Sequence, residues 1–495
     1  MHAGLERSGS LAGNSFPPLA AGLLAHAEHN YLGFHVPGHK QGRGAWPAWR
    51  SLLGETVFAL DLTELPGLDN LQDPQGVIRE AAAAAAAYFG ADETYFLVNG
   101  ATAGILAVLL ATCRPGDRVL LPRNCHQAVI HGLILSGASP VYLPVYGDSE
   151  LGLPGMVRTE DLRRAWNAVS GELRLIVLLH PNYYGLAGEL ERQVEFAHDR
   201  GCAVLVDEAH GAHFHTSECF PPAALRCGAD FVVQGAHKVL GAFTQAAFLH
   251  RRGRDGDAGK LRDALRIVQT SSPSYLLMAS LDVARQQCQE EGPAWEETAR
   301  LGMRLRDEIN RIPGLLAPGR ELLRVPGVTA FDPARLIVNV GKLGITGFAA
   351  AEWLRSRRRI LVEMADFQNM LFILGPADLP LAEEPLDGLA ALAAVFANCD
   401  DGRSPSCPDP LALPIPRQVL TPRQAFLCPY ETVGWDVAEG RVAAEVIAPY
   451  PPGVPVICPG EEVTPEAIAF LVEWERAGGV WPGQSRGMIK VVAGS

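Results

Sequence analysis

The sequence predicts an α/β fold whose largest unit is a mostly parallel β-sheet with helices on both faces. Three observations predict it. Short apolar runs alternate with helical stretches between residues 76 and 250 and are apolar on both faces, as strands covered on both sides require. Polar residues recur just after those runs: Asn99 and Thr102, His180 and Asn182, Asp207 and His210, His237 and Lys238. Open sheets of this kind bind ligands beyond the carboxyl ends of their strands. The 495 residues are 48% hydrophobic and 20% charged, enough for a large core and two or three domains.

The elements follow in order. Residues 19–29 can form a helix. Phe34 to Gly42 reads as a turn around Pro37-Gly38, carrying His35, His39 and Lys40. Residues 61–71 are loop-like. Residues 76–90 read as a helix through seven consecutive alanines, stopped by Gly90. Strand 94–98 leads through a turn at 99–104 into helix 105–112. Strand 118–121, a helix from His126 to Gly137, and strand 141–145 come next. Strand 173–179, helix 190–199 and strand 202–206 continue the alternation. The apolar runs 230–233 and 245–250 flank a small-residue loop. Residues 259–289 are mostly helical.

A second α+β pattern starts near residue 300, with strands at 336–340, 360–363 and 370–374 and a helix at 349–358. Arg355, Arg357, Arg358 and Arg359 suit the solvated end of that helix, where cations favour the dipole. A Pro- and Asp-rich linker covers 400–416. The resulting division is an N-terminal segment (1–60), a large domain (61–299), a small α+β domain (300–400) and a C-terminal domain (401–495).

The net charge of -13 argues against a nucleic-acid partner and is compatible with a small cationic one. Ten cysteines without a CxxC pair suit a reduced, intracellular protein without a cysteine zinc site. No signal pattern opens the chain and no uncharged apolar run is long enough to span a bilayer. The expectation is a cytoplasmic protein with no membrane partner.

The chemistry centres on Gln234-Gly235-Ala236-His237-Lys238-Val239-Leu240-Gly241-Ala242-Phe243-Thr244-Gln245. A lysine held between buried strands loses charge and becomes a nucleophile able to form a Schiff base. Taken alone, a solvated loop lysine is the simpler reading. Gly100-Ala101-Thr102 opens a helix after a strand, a place where backbone N–H groups bind phosphate, and equally an ordinary Thr cap. Asp207 closes an apolar strand and could keep a pyridine nitrogen protonated. Asp207, Glu208, His210, His213 and His215 also resemble metal ligands, so a metal-dependent hydrolase is an alternative. A non-catalytic binding protein is a third reading.

Taken together, these residues resemble the bacterial Orn/Lys/Arg decarboxylases, specifically the shorter members without an N-terminal wing domain. The resemblance runs nearly end to end. It includes the Lys238 loop, Arg123-Asn124-Cys125-His126 and the stretch Ala448-Pro449-Tyr450-Pro451-Pro452-Gly453-Val454-Pro455. It implies the pyridoxal 5'-phosphate (PLP)-dependent transferase fold, type I, and decarboxylation of arginine, lysine or ornithine to its amine and CO2. An aminotransferase is the nearest competing activity, because fold does not fix reaction. Lys238 would hold the cofactor as a Schiff base, Asp207 would pair with its ring nitrogen, and His126 would stack on the ring. Gly100, Ala101, Thr102 and His237 would surround the phosphate, and His210 would line the ring pocket. The resemblance further implies a homodimer with the active site at its interface and the Pro37–Lys40 turn near the entrance. One residue departs from the family pattern. A serine normally stands three residues before the lysine, where this chain has Gly235. The expectation is weaker cofactor retention, restored by Gly235→Ser.

Overall fold

The computed structural model describes residues 16–169, 171–253, 258–397, 409–450, 453–477, 479 and 486–495. Its central sheet has seven strands, in spatial order Glu93–Leu97, Ala247–Arg251, Phe231–Gln234, Ala203–Asp207, Leu173–Leu179, Arg118–Pro122 and Ser139–Leu143. Neighbours pair in parallel except Ala247–Arg251, which is antiparallel to both strands beside it. Side chains alternate between faces along each strand. Ile176, Val204 and Val232 therefore enter one core, and Leu175, Leu205 and Val233 the other. Each fully buried side chain of this kind contributes roughly 1.5–3 kcal/mol.

The register lines up the carboxyl ends of three strands. Leu179 pairs with Asp207, and Asp207 with Val233. The segments that follow, starting at His180, Glu208 and Gly235, consequently leave the sheet along one edge. Helix Gly100–Thr112 also starts at this edge. It begins five residues earlier than the sequence reading placed it. Glycines at 100 and 104 disguise its first turn, yet Gly104 is needed there: a Cβ would lie 2.8 Å from Leu97 Cδ1 and 3.1 Å from Val233 Cγ2. The absent side chain lets the helix start lie close against the strands.

Residues 259–289 divide into helices Ala258–Val268 and Tyr275–Glu290. The second sheet is antiparallel, in the order Arg335–Asn339, Asn369–Ile373, Met364–Ala365. Residues 360–363 are not a strand, contrary to the sequence reading. Arg359 ends helix Gly347–Arg358 in the left-handed region (φ 59°), and the Ile360 N–H bonds back to Leu354 O, so pairing starts only at Met364. Part of the 400–416 linker lies outside the described residues. Further on, Tyr430–Gly434 pairs with Met488–Val492, and helix Pro465–Arg476 packs Phe470 and Trp474 into a separate core that also takes in Phe367.

A buried ion pair joins this last unit to the central sheet. Arg123, directly after its strand, donates to Glu461 Oε1 at 2.5 Å and Oε2 at 2.9 Å, and to Val456 O at 2.6 Å. Their side chains are 7% and 0% exposed.

Candidate active site

A cavity of about 510 Å³ opens at the carboxyl edge of the sheet. All eight residues singled out above line it: Gly100, Ala101, Thr102, His126, Asp207, His210, His237 and Lys238. Each stands at or just after the end of a strand or at the start of a helix, so the parallel architecture gathers them from across the sequence. Tyr183 and the C-terminal residues Val446, Ala448, Tyr450, Gly453 and Val454 line other parts of the wall.

Lys238 lies in the single helical turn Ala236–Val239. Its Nζ is 2.9 Å from His210 Nε2. Burial lowers the pKa of the Lys238 ammonium; Asp207 opposes that shift and Arg335 adds to it. His210 is held well below the ordinary histidine range by burial, and by Lys238 and Arg335. Its ring also packs against Tyr183, with centroids 4.5 Å apart. Asp207 is buried, and its Oδ1 accepts the Ala209 N–H at 3.1 Å. His126 caps helix Gln127–Ser136, accepting the Ala128 N–H on Nδ1 at 3.2 Å.

The start of helix Gly100–Thr112 can receive an anion. No side chain caps its first turn, because Asn99 Oδ1 instead accepts from Thr270 N at 3.2 Å. Gly100 has φ +73°, and a Cβ there would meet no atom closer than Gln245 O at 4.0 Å. An open first turn, an aspartate and a lysine whose charged form burial disfavours, around one cavity, fit the phosphate, ring nitrogen and aldehyde of PLP.

One expectation is revised, and Gly235 meets a close contact. The candidate metal ligands Asp207, Glu208, His210, His213 and His215 do not converge. His213 lies 2.9 Å from Asp332 and stacks on Trp295, His215 packs on Tyr88, and Glu208 accepts from Ala224 N and Gln234 Nε2. Among the described residues no group of three such side chains could hold a metal ion. Gly235 lies beneath the catalytic lysine candidate and has no open space above it. A Cβ would be 2.9 Å from Ala209 O and 3.2 Å from Lys238 Cδ, so a side chain at this position must shift one of these neighbours.

Arg335 and Glu363 escaped the sequence reading. Arg335 Nη2 is 3.3 Å from His210 Nδ1 and donates to His210 O at 3.1 Å. Its one signal was a charged residue heading the apolar run 336–340. Glu363 accepts the Tyr183 hydroxyl at 2.6 Å, and nothing in its sequence neighbourhood marked it.

The fold is that of the type I PLP-dependent enzymes, an α/β architecture with a large mostly parallel sheet. A solved lysine decarboxylase of Francisella novicida superposes with a TM-score of 0.82 at 20% identity, over 96% of this chain and 81% of that one. A serine palmitoyltransferase of Sphingomonas wittichii gives 0.51 at 18% identity, over 64% of this chain and 76% of its own. The chain belongs to the Orn/Lys/Arg decarboxylase family: the family's major domain matches residues 17–325 and its C-terminal domain residues 411–489. An arginine decarboxylase of Halalkalibacterium halodurans is 38% identical over 93% of this chain and 94% of its own length. One of Bacillus subtilis is 37% identical over 92% of each.

Proposed function

We propose that the protein is a PLP-dependent α-decarboxylase of a basic L-amino acid, with arginine as its substrate. The observation that carries this reading is the convergence of Lys238, Asp207 and an uncapped helix start on one cavity. Arginine is preferred because the relatives that are 37–38% identical over at least 90% of this chain include four named arginine decarboxylases.

Bound PLP would supply an electron sink for the bond that releases CO2. The chain's own groups do the rest. The first turn at Gly100, Ala101 and Thr102 would hold the phosphate through backbone N–H groups, with His237 beside it. Asp207 would accept from the ring nitrogen and favour its protonated form. His126 would pack against the ring. Lys238 Nζ would be the attachment point, exchanged for the substrate α-amino group and restored when the amine leaves. A proton delivered to Cα replaces the departing CO2, so each turnover consumes one proton. Glu363 is the carboxylate we assign to the guanidinium: Asp207 is committed to the ring, and Glu363 accepts the hydroxyl of Tyr183, a residue of the cavity wall, at 2.6 Å.

A homodimer is supported by apolar side chains left exposed in the N-terminal segment, among them Phe34 at 87% and Trp46 at 74%. A cytoplasmic location is supported by the free thiols of the cysteines among the described residues. No helix among those residues is long and apolar enough to cross a membrane.

The purified protein, incubated with arginine, lysine and ornithine in turn, should release CO2 and agmatine from arginine fastest. Borohydride should fix the cofactor to the peptide containing Lys238. Keto-acid formation without amine, or a label on another lysine, refutes the reading.

A further inference from the structure

We propose that Arg335, acting through His210, keeps Lys238 Nζ an uncharged amine before the cofactor is attached. The proposal rests on Lys238 being the attachment point, and it makes Arg335 and His210 positioning residues for that step.

The argument is one of donors and acceptors. A guanidinium has N–H donors and no acceptor. Arg335 Nη2 faces His210 Nδ1 at 3.3 Å and His210 O at 3.1 Å, so its two hydrogens have one acceptor each. Nδ1 must therefore present a lone pair. A proton on Nδ1, in the other neutral tautomer or in the imidazolium, would set N–H against N–H. With Nδ1 bare, the single imidazole proton is on Nε2. Nε2 lies 2.9 Å from Lys238 Nζ. Two donors cannot share that contact, so Nζ accepts, and only the neutral amine has a lone pair to accept with.

The surrounding charges make this necessary. Asp207 and Glu363 both favour the ammonium form of Lys238. Burial and Arg335 oppose them, and His126 and His237 are the further titratable groups whose fields reach His210. Tyr183 packs on the imidazole and holds its plane. Without the His210 donor, the two carboxylates would hold the lysine protonated and unreactive. With it, Nζ attacks the cofactor aldehyde directly. A C=N bond replaces the C=O bond, and the two amine hydrogens leave with the aldehyde oxygen as water.

The test uses full-length enzyme stripped of cofactor with hydroxylamine. PLP uptake is followed by visible absorbance from about pH 6 to 10, and each product is then reduced with borohydride and peptide-mapped. Arg335→Met and His210→Phe should move the uptake profile to higher pH. Uptake at pH 7 should be roughly tenfold slower, the change that one unit in the amine's pKa produces. His210→Gln should restore the wild-type profile, because its amide oxygen can accept from Arg335 while its N–H donates to Nζ. If Arg335→Met does not fold, the His210→Phe and His210→Gln pair decides alone. A wild-type profile in His210→Phe, with the label still on Lys238, overturns the proposal and leaves the attachment site standing. A label on another lysine overturns the attachment site itself.

Discussion

Glu461→Gln would leave the Arg123 guanidinium buried without a counter-charge. In the native protein both carboxylate oxygens accept from it, at 2.5 and 2.9 Å, and Oε2 also accepts the Cys458 N–H at 2.7 Å. Glutamine fills nearly the same volume, but one oxygen becomes an NH2 group facing other donors. Breaking one side of a buried, hydrogen-bonded ion pair costs about 3–5 kcal/mol. Whole-protein stabilities run to about 5–15 kcal/mol, so this is a large fraction. The loss should be felt first where the pair holds the C-terminal unit: the bridge between Ile447 and Ile457, and the cavity wall at Val446, Ala448 and Val454. Urea unfolding read by tryptophan fluorescence, with hydrogen exchange resolved over 442–463, measures it. The exchange protection of that segment should fall before that of the central sheet. The double variant Arg123→Met/Glu461→Leu removes both charges and should recover most of the loss, because apolar replacement of a buried pair is close to neutral. A Glu461→Gln midpoint equal to the wild type refutes the reasoning, and so does a double variant as unstable as the single one.

Asp207→Asn should fold normally and lose turnover, since a charge-assisted bond to the ring nitrogen is worth about 1.5–3 kcal/mol and more as charge builds on the ring; near-normal kcat excludes the role. Glu363→Gln should raise KM for arginine about tenfold or more, for a similar loss of a charged hydrogen bond, with a smaller effect on kcat; an unchanged KM moves the guanidinium site elsewhere. Gly235→Ser should lower stability by about 1–3 kcal/mol through overpacking against Ala209 O and Lys238, and tighter cofactor retention at unchanged stability would contradict the crowded geometry. Stability should also depend on pH with a definite sign. His180 and His250 are depressed to about 4 and about 3 from 6.5 by burial, so their contribution is present above pH 6.5 and lost on acidification. Glu208 is raised by burial from 4.5 to about 8, so its contribution is present below pH 4.5 and lost as pH rises through about 8. Between pH 4.5 and 6.5 two histidines outweigh one carboxyl, which places the optimum set by these groups near pH 6.5; urea midpoints that fall steadily from pH 5 to 6.5 would refute the balance.

The parallel sheet and the main candidate residues were legible in the sequence because both obey local rules. Strands buried on both faces are written as continuous apolar runs, and a parallel sheet delivers the residues after those runs to one edge. Leu173–Leu179 could be read to the residue, and Lys238, Asp207 and His210 stand at that edge as the alternation implies. Long-range contacts could not be read this way. Arg335 reaches His210 across 125 residues, and Arg123 reaches Glu461 across 338. Neither partner leaves a periodic trace, because one charged side chain at a strand end looks the same whether it meets water or a distant acceptor. The start of helix Gly100–Thr112 and the crowding at Gly235 share that origin: a glycine's propensity is local, but the atom its missing Cβ would strike belongs to another part of the chain. Sequence by itself therefore determined which residues lie at the edge of the sheet. Only the tertiary structure decided which donor faces which acceptor there, because hydrogen bonds depend on distances of a few tenths of an ångström that only the packed chain sets.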